Sequence, residues 1–268
     1  MARQHVEFIQ SANVVQKPWG VDGLLSGGLT RILSFDTETG GSTELIEWTQ
    51  NWQSESGYFN CDIEIFVLSG ELRIGQLRLG KYTYGFIPEG VCIEAWSAQE
   101  NTTALWMPER HPSFIKSSTD ALGAKRELYI PSSNSYLIPW SQTLTPGFPP
   151  GAMRKTLRKW SEGGTSTWLL GLLPQFVEPV AEYHPVCEEE FVLQGSMTTQ
   201  AGHMTPGCYF WRPPLISHAP AYTETGYFAL VRGGNPHLSY HAWEPPFQTY
   251  YPWGWNKKNQ EINDINNL

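Results

Sequence analysis

The sequence predicts an all-β protein built as two tandem jelly-roll barrels, and three observations carry that expectation. Twenty prolines and 25 glycines cut the 268-residue chain into short segments rich in Val, Ile, Phe, Tyr and Trp. Short runs of β-branched and aromatic residues between turn formers read as strands. The segment Ile65-Phe66-Val67-Leu68-Ser69-Gly70 recurs 125 positions later as Glu190-Phe191-Val192-Leu193-Gln194-Gly195. The length suits two domains of about 130 residues each.

Each copy offers the same elements in the same order. A strand ends at Gly70 or Gly195, a tight turn follows, a further strand runs into a proline corner at Pro88 or Pro213, and an apolar strand closes the unit. That order is the one expected of a jelly roll. Ala104-Leu105-Trp106 falls on Ala229-Leu230-Val231, and Leu45-Ile46-Glu47-Trp48 falls on Leu170-Gly171-Leu172-Leu173 at the same spacing. The boundaries follow: a first domain over 1–131, a linker over 132–151 marked by Pro139, Pro146, Pro149 and Pro150, a second domain over 152–255, and a polar tail over 256–268.

Composition narrows the function. There are 18 basic and 26 acidic residues, for a net charge of −8, and no run of Lys or Arg that could track phosphates, so nucleic acid is not an expected partner. The N-terminus has no apolar core of signal-peptide length, and the most apolar stretch, Trp168 to Val177, is interrupted by Gly171, Pro174 and Gln175. A cytoplasmic protein that does not span a membrane is expected. Cys61, Cys92, Cys187 and Cys208 are scattered singly, which reads as reduced thiols.

The chemistry concentrates in the second copy. Glu182-Tyr183-His184-Pro185-Val186-Cys187-Glu188 is followed after six residues by Gly195; further on stand Gly207, Pro213 and His218. If the chain is extended there, Glu182, His184 and Glu188 share a face and Cys187 points away. Two neutral imidazoles and one or two carboxylates could then converge with His218 on an ion at about 2.0–2.2 Å. Glu189 and Glu190 complete an acidic run for which solvent exposure is the expectation. At the equivalent positions the first copy has Gly57, Phe59, Ile63 and Ile93, none of which can bind a metal; Glu64 is one residue off register and reads as a polar strand residue.

This pattern resembles the two motifs of the cupin family, G(x)5HxH(x)3-4E(x)6G and G(x)5PxG(x)2H(x)3N. The resemblance implies a barrel with a divalent metal inside, and it places His184, Glu188 and His218 on ligand positions. Glu182 stands where the first His is usual, Leu215 where Gly is usual, and Tyr222 where Asn is usual. Glu182 is therefore either a fourth ligand or a base that deprotonates substrate, and the donor set favours Fe(II) or Mn(II), with Zn(II) and Ni(II) also compatible. Arg212, in Tyr209-Phe210-Trp211-Arg212-Pro213-Pro214, is a candidate to orient an anionic or carbonyl oxygen, with a structural ion pair as its alternative. Tryptophans such as Trp48, Trp52, Trp160, Trp168 and Trp243 read as packing residues, and His237 and His241 lie outside both motifs.

More narrowly, the chain resembles a two-cupin group near the acetylacetone-cleaving dioxygenases and ChrR-like cupins, on His5-Val6-Glu7-Phe8-Ile9, Leu33-Ser34-Phe35-Asp36-Thr37-Glu38-Thr39-Gly40 and the Tyr-Phe-Trp-Arg-Pro-Pro corner. That implies an oxygenase acting on a small carbonyl-containing or anionic molecule. Its layout is also similar to the ureidoglycine aminohydrolases, with an ExH motif in the second barrel, which implies Mn(II)-dependent hydrolysis instead. A non-catalytic metal or small-molecule binder is the third reading, because a fold alone does not fix a function. Cupins commonly pair, so a homodimer is a further expectation.

Overall fold

The computed structural model describes residues 3–142, 149–159, 165–179, 181–218 and 220–233, and the backbone of 241–242. The tail over 256–268, Trp160, Trp243 and His237 lie outside these residues. Among them there is no α-helix; three short 3-10 turns, at Ser11–Asn13, Arg126–Leu128 and Ser135–Leu137, are the only helical elements. Among the described residues no helix is long and apolar enough to cross a membrane. The four cysteines are free thiols.

Two compact units divide the chain. One comprises Met1–Trp140, Lys155–Lys159 and Tyr209–Trp211; the other comprises Ser141–Arg154, Trp160–Cys208 and Arg212–Leu268. In the first unit, one sheet orders its strands Ile130–Asn134, Thr83–Ile87, Ile63–Ser69, Thr102–Pro108, Ser42–Trp48, Gly28–Phe35 and Lys17–Trp19. A second orders Trp52–Gln53, Trp96–Ala98, Leu72–Ile74 and Leu77–Leu79. The apolar core lies between them, with Ile46, Trp48, Ile63, Ile65 and Trp106 from the first sheet against Trp52, Leu72, Ile74 and Trp96 from the second. Inward-facing residues of two antiparallel sheets thus share one core, as a jelly roll requires.

In the second unit, Glu188–Gly195 pairs antiparallel with Tyr227–Gly233, which in turn pairs with Ser166–Leu172. A smaller sheet orders Val177–Glu178, Ala221–Tyr222, Met197–Thr199 and Gly202–Met204. The strands Ile63–Ser69, Leu72–Ile74, Leu77–Leu79, Thr83–Ile87 and Thr102–Pro108 recur as Glu188–Gly195, Met197–Thr199, Gly202–Met204, Cys208–Arg212 and Tyr227–Gly233, each beginning 125 residues on. The fold class is the one expected: all-β, with the strand order of a jelly roll repeated in the two units.

Three local expectations are corrected. Trp48 pairs with Thr102 and Leu172 with Tyr227. Because Tyr227 is the counterpart of Thr102, Trp48 corresponds to Leu172 and not to Leu173; the connection to the next strand is one residue longer in the second copy. Secondly, Glu189 and Glu190, expected in solvent, are buried at 5% and 4% exposure, as is Glu64, the expected polar strand residue, at 1%. They lie on central strands covered on both faces, and two of them meet cations there. Glu64 accepts hydrogen bonds from Tyr84 at 2.6 Å and Arg158 at 2.8 Å, and Glu189 accepts one from Arg232, directly opposite on the next strand, at 2.7 Å. Thirdly, the stretch from Glu182 to Glu188 is not one extended strand. Glu182–Tyr183 ends before a bend at Pro185 and Val186, and a new strand begins at Glu188. Proline lacks the N–H needed to continue a ladder, so the break falls where the sequence puts it.

Candidate metal centre

Convergence of the four expected ligands therefore comes from strand pairing rather than from alternation along one strand. Glu182 and His218 are cross-strand neighbours, joined by Glu182 N–H to His218 O at 2.7 Å and His218 N–H to Glu182 O at 2.9 Å. The same bridge joins Gly57 to Ile93 in the first copy. His184 is fixed by its carbonyl, which accepts from Leu215 N–H at 2.8 Å, just as Phe59 O accepts from Gly90 N–H at 2.9 Å. Glu188 opens the next strand and faces the cluster.

Glu182, His184 and His218 bring one donor atom each within 4.8 Å of one another. Glu182 Oε1 lies 3.3 Å from His218 Nε2 and 3.9 Å from His184 Nε2. Glu188 Oε2 lies 3.6 and 3.8 Å from the same two nitrogens. The imidazole rings are 4.9 Å apart at their centroids. All four side chains are largely withdrawn from solvent, with Glu182, His184 and Glu188 at 7%, 5% and 8% exposure.

These residues fit a divalent cation. Donors each about 2.0–2.2 Å from one ion stand roughly 3–4 Å from one another, which is the spacing seen between the imidazole nitrogens and the carboxylate oxygens. His218 Nδ1 lies 3.0 Å from Ile216 O; donation of Nδ1–H to that carbonyl leaves the Nε2 lone pair facing the carboxylates, the arrangement found behind metal-ligating histidines. Glu182 Oε2 is buried without a hydrogen-bond partner among the described residues. Burial alone would lower the His218 pKa, but Glu182 and Glu188 outweigh it and the net direction is upward.

Arg212 is also buried and sends Nη1 to 3.9 Å from Glu188 Oε2, so the guanidinium stands beside the ligand set and away from solvent. Tyr222 pairs with Val177 and Thr198 in the smaller sheet. The first unit fills the corresponding space with hydrocarbon: Phe59, Ile63 and Ile93 belong to its core, and Phe59 packs 5.0 Å from Phe114, 5.4 Å from Trp106 and 6.2 Å from Trp96. A Cβ on Gly57 would meet Ile115 O at 2.3 Å.

Two inward groups escaped the sequence reading, Glu190 and Tyr227. Burial first of all, then the neighbouring Glu188, pushes the Glu190 carboxyl up to about 8, and Tyr227 lies beside it. The signal for Glu190 was an acid standing where the first copy has Ile65, in an otherwise matching strand.

A family model described as a domain of unknown function, DUF4437, matches residues 11–238. No curated protein matches the chain. A solved structure from Nostoc punctiforme PCC 73102, described as a "putative dioxygenase", is similar at 28% identity with a TM-score of 0.83, covering 91% of this chain and 87% of that one. Oxalate decarboxylase of Lactobacillus farciminis, solved as a formate complex, is similar at 9% identity and TM-score 0.59, covering 97% and 93%. A "putative glyoxylate induced protein" of Pseudomonas aeruginosa is similar at 19% identity and TM-score 0.56, covering 92% and 88%. The last two likenesses bear on the fold alone.

Proposed function

The chain belongs to the DUF4437 family, and from that premise we propose that it is a bicupin enzyme with one metal centre, acting on a small carbonyl-containing or anionic molecule as a non-haem oxygenase. The observation that carries the reading is the buried group of Glu182, His184 and His218, whose donor atoms lie within 4.8 Å of one another, with Glu188 Oε2 3.8 and 3.6 Å from the two imidazole nitrogens. Its likeness to the Nostoc protein supports the oxygenase class.

Within this reading His184, His218, Glu182 and Glu188 hold the ion. Fe(II) or Mn(II) suits a mixed nitrogen and oxygen donor set and, when bound, would supply a Lewis-acidic centre with positions open to a chelating substrate. Glu182 also serves as the base, because Oε1 faces the histidines while Oε2 is free to take a proton from the substrate. Arg212 orients the substrate's anionic or carbonyl oxygen beside the centre. The buried setting strengthens each of these polar contacts by excluding water.

The test is metal analysis of protein purified without chelator, with oxygen uptake measured on 1,3-dicarbonyls. One tightly held Fe or Mn per chain and uptake on at least one dicarbonyl are expected. Glu182→Ala should lower turnover about a hundredfold and metal content much less, because three ligands remain. A site emptied by Glu182→Ala would remove its role as base, and turnover without oxygen consumption would favour the hydrolytic reading that its ExH motif also fits.

A further inference from the structure

The duplication supplies its own control for which buried polar groups the fold requires. The positions equivalent to Glu190, Arg212 and Tyr227 are Ile65, Ile87 and Thr102 in the first unit, all buried. Ile65 and Ile87 belong to the apolar core. That unit packs isoleucine at two of these places and, at the third, a threonine that hydrogen-bonds Glu71, where the second buries a carboxyl, a guanidinium and a phenol, at 4%, 5% and 3% exposure. Burying such groups costs free energy that an isoleucine would not. Holding the ion does not require them, since Glu182, His184, Glu188 and His218 provide the donors.

Their placement is specific. Glu190 follows Glu188 by two positions on the strand Glu188–Gly195, so both carboxyls project from one face. Arg212 and Tyr227 are close enough to Glu190 to act on its charge, and Arg212 Nη1 is 3.9 Å from Glu188 Oε2. The Glu190 carboxyl and the Tyr227 hydroxyl are near enough to interact, but Glu190 Oε1 and the Tyr227 oxygen are both buried and make no well-aligned hydrogen bond among the described residues. Buried polar atoms are almost always satisfied, so a pair joined this poorly leaves capacity for a third group.

We propose that Glu190, Tyr227 and Arg212 form a wall that reads the ligand of the metal centre and selects a small carboxylate bearing a neighbouring hydroxyl or amine. Arg212 supplies charge-assisted donors to the carboxylate. The Tyr227 O–H donates to an oxygen of the ligand, and Glu190 Oε1 accepts from its hydroxyl or amine. An apolar molecule, or an acid with acceptors alone, leaves Glu190 Oε1 without a donor and is disfavoured for that reason. This inference rests on the metal reading above and narrows its substrate class.

The test uses full-length, metal-loaded protein and two probes that differ by one hydroxyl, glycolate and acetate, titrated calorimetrically. The wild-type protein should bind glycolate about tenfold tighter or more. Glycolate can also prefer the ion itself, so the decisive variant is Glu190→Ile, which installs the first copy's residue. It should bring the glycolate-to-acetate ratio down about tenfold with metal content unchanged; Tyr227→Phe, a milder change, should weaken both acids. An unaltered ratio in Glu190→Ile overturns the proposal, as does equal or undetectable binding of the two acids by the metal-loaded wild type. Wild-type protein that takes up no metal fails differently: it removes the metal centre, and this wall with it.

Discussion

Leu215 holds φ at +68°, where its counterpart Gly90 holds +73°. Both residues send their N–H to the carbonyl of the preceding motif, His184 in one case and Phe59 in the other, so the backbone shape is dictated by the turn and not by the side chain. A side chain in this left-handed conformation costs about 1–2 kcal/mol, and Leu215, at 63% exposure, recovers little by burial. Glycine would relieve that strain while adding about 0.5–1 kcal/mol of unfolded-state freedom. Leu215→Gly is therefore expected to stabilise the protein by about 0.5 kcal/mol, although Leu→Gly on a surface usually destabilises. A urea titration decides it: a lower midpoint in the variant would show that Leu215 is unstrained. The departure from the family pattern was legible in the sequence. That it is a strained residue next to a ligand was not, because φ depends on the turn into which the chain is pinned.

At the level of elements, the same strand pair does two jobs. Gly57 and Ile93 bridge as Glu182 and His218 do, yet one bridge carries core residues and the other carries ligands. Phe59, at 0% exposure among Trp96, Trp106 and Phe114, shows how the first unit uses the position of His184. Phe59→Ala should cost about 3–5 kcal/mol, as removal of a buried ring usually does. Phe59→His should also destabilise, because its ring nitrogens meet only apolar neighbours, and it should not raise metal content. Denaturation and metal analysis of the two variants check this; a second equivalent of ion in Phe59→His would mean that the first unit keeps a ligand geometry beneath its aromatic side chains.

For the whole molecule, the centre links stability to metal and to pH. Burial opposes charge on His218, but the Glu182 and Glu188 carboxylates prevail and raise its pKa, with Arg212 working against them. A group whose folded pKa is raised stabilises the fold below its unfolded value, and that contribution fades as pH rises through the folded value. Metal-free protein should thus lose stability as pH climbs through and beyond the ordinary imidazole range. A bound ion reverses the trend, since it needs the unprotonated ring and binds more tightly as pH rises. Adding chelator should lower the melting temperature, and by more at pH 8 than at pH 6. Calorimetry with and without chelator at the two pH values tests the linkage; a chelator effect that shrinks as pH rises would rule it out.

The sequence by itself determined the strand-rich class, the duplication at a spacing of 125 and the four residues that meet in the second unit, because turn formers, repeated strands and motif spacing are local and survive without coordinates. Only the tertiary structure decided how those four residues meet. Pro185 breaks the strand that would have aligned them, and the bridge between Glu182 and His218 brings them together instead. It likewise decided that Glu64, Glu189 and Glu190 are buried. An acid on a strand looks solvated until the strand proves central, and then its fate depends on partners distant in sequence: Arg158 for Glu64, Arg232 for Glu189, and Tyr227 and Arg212 beside Glu190.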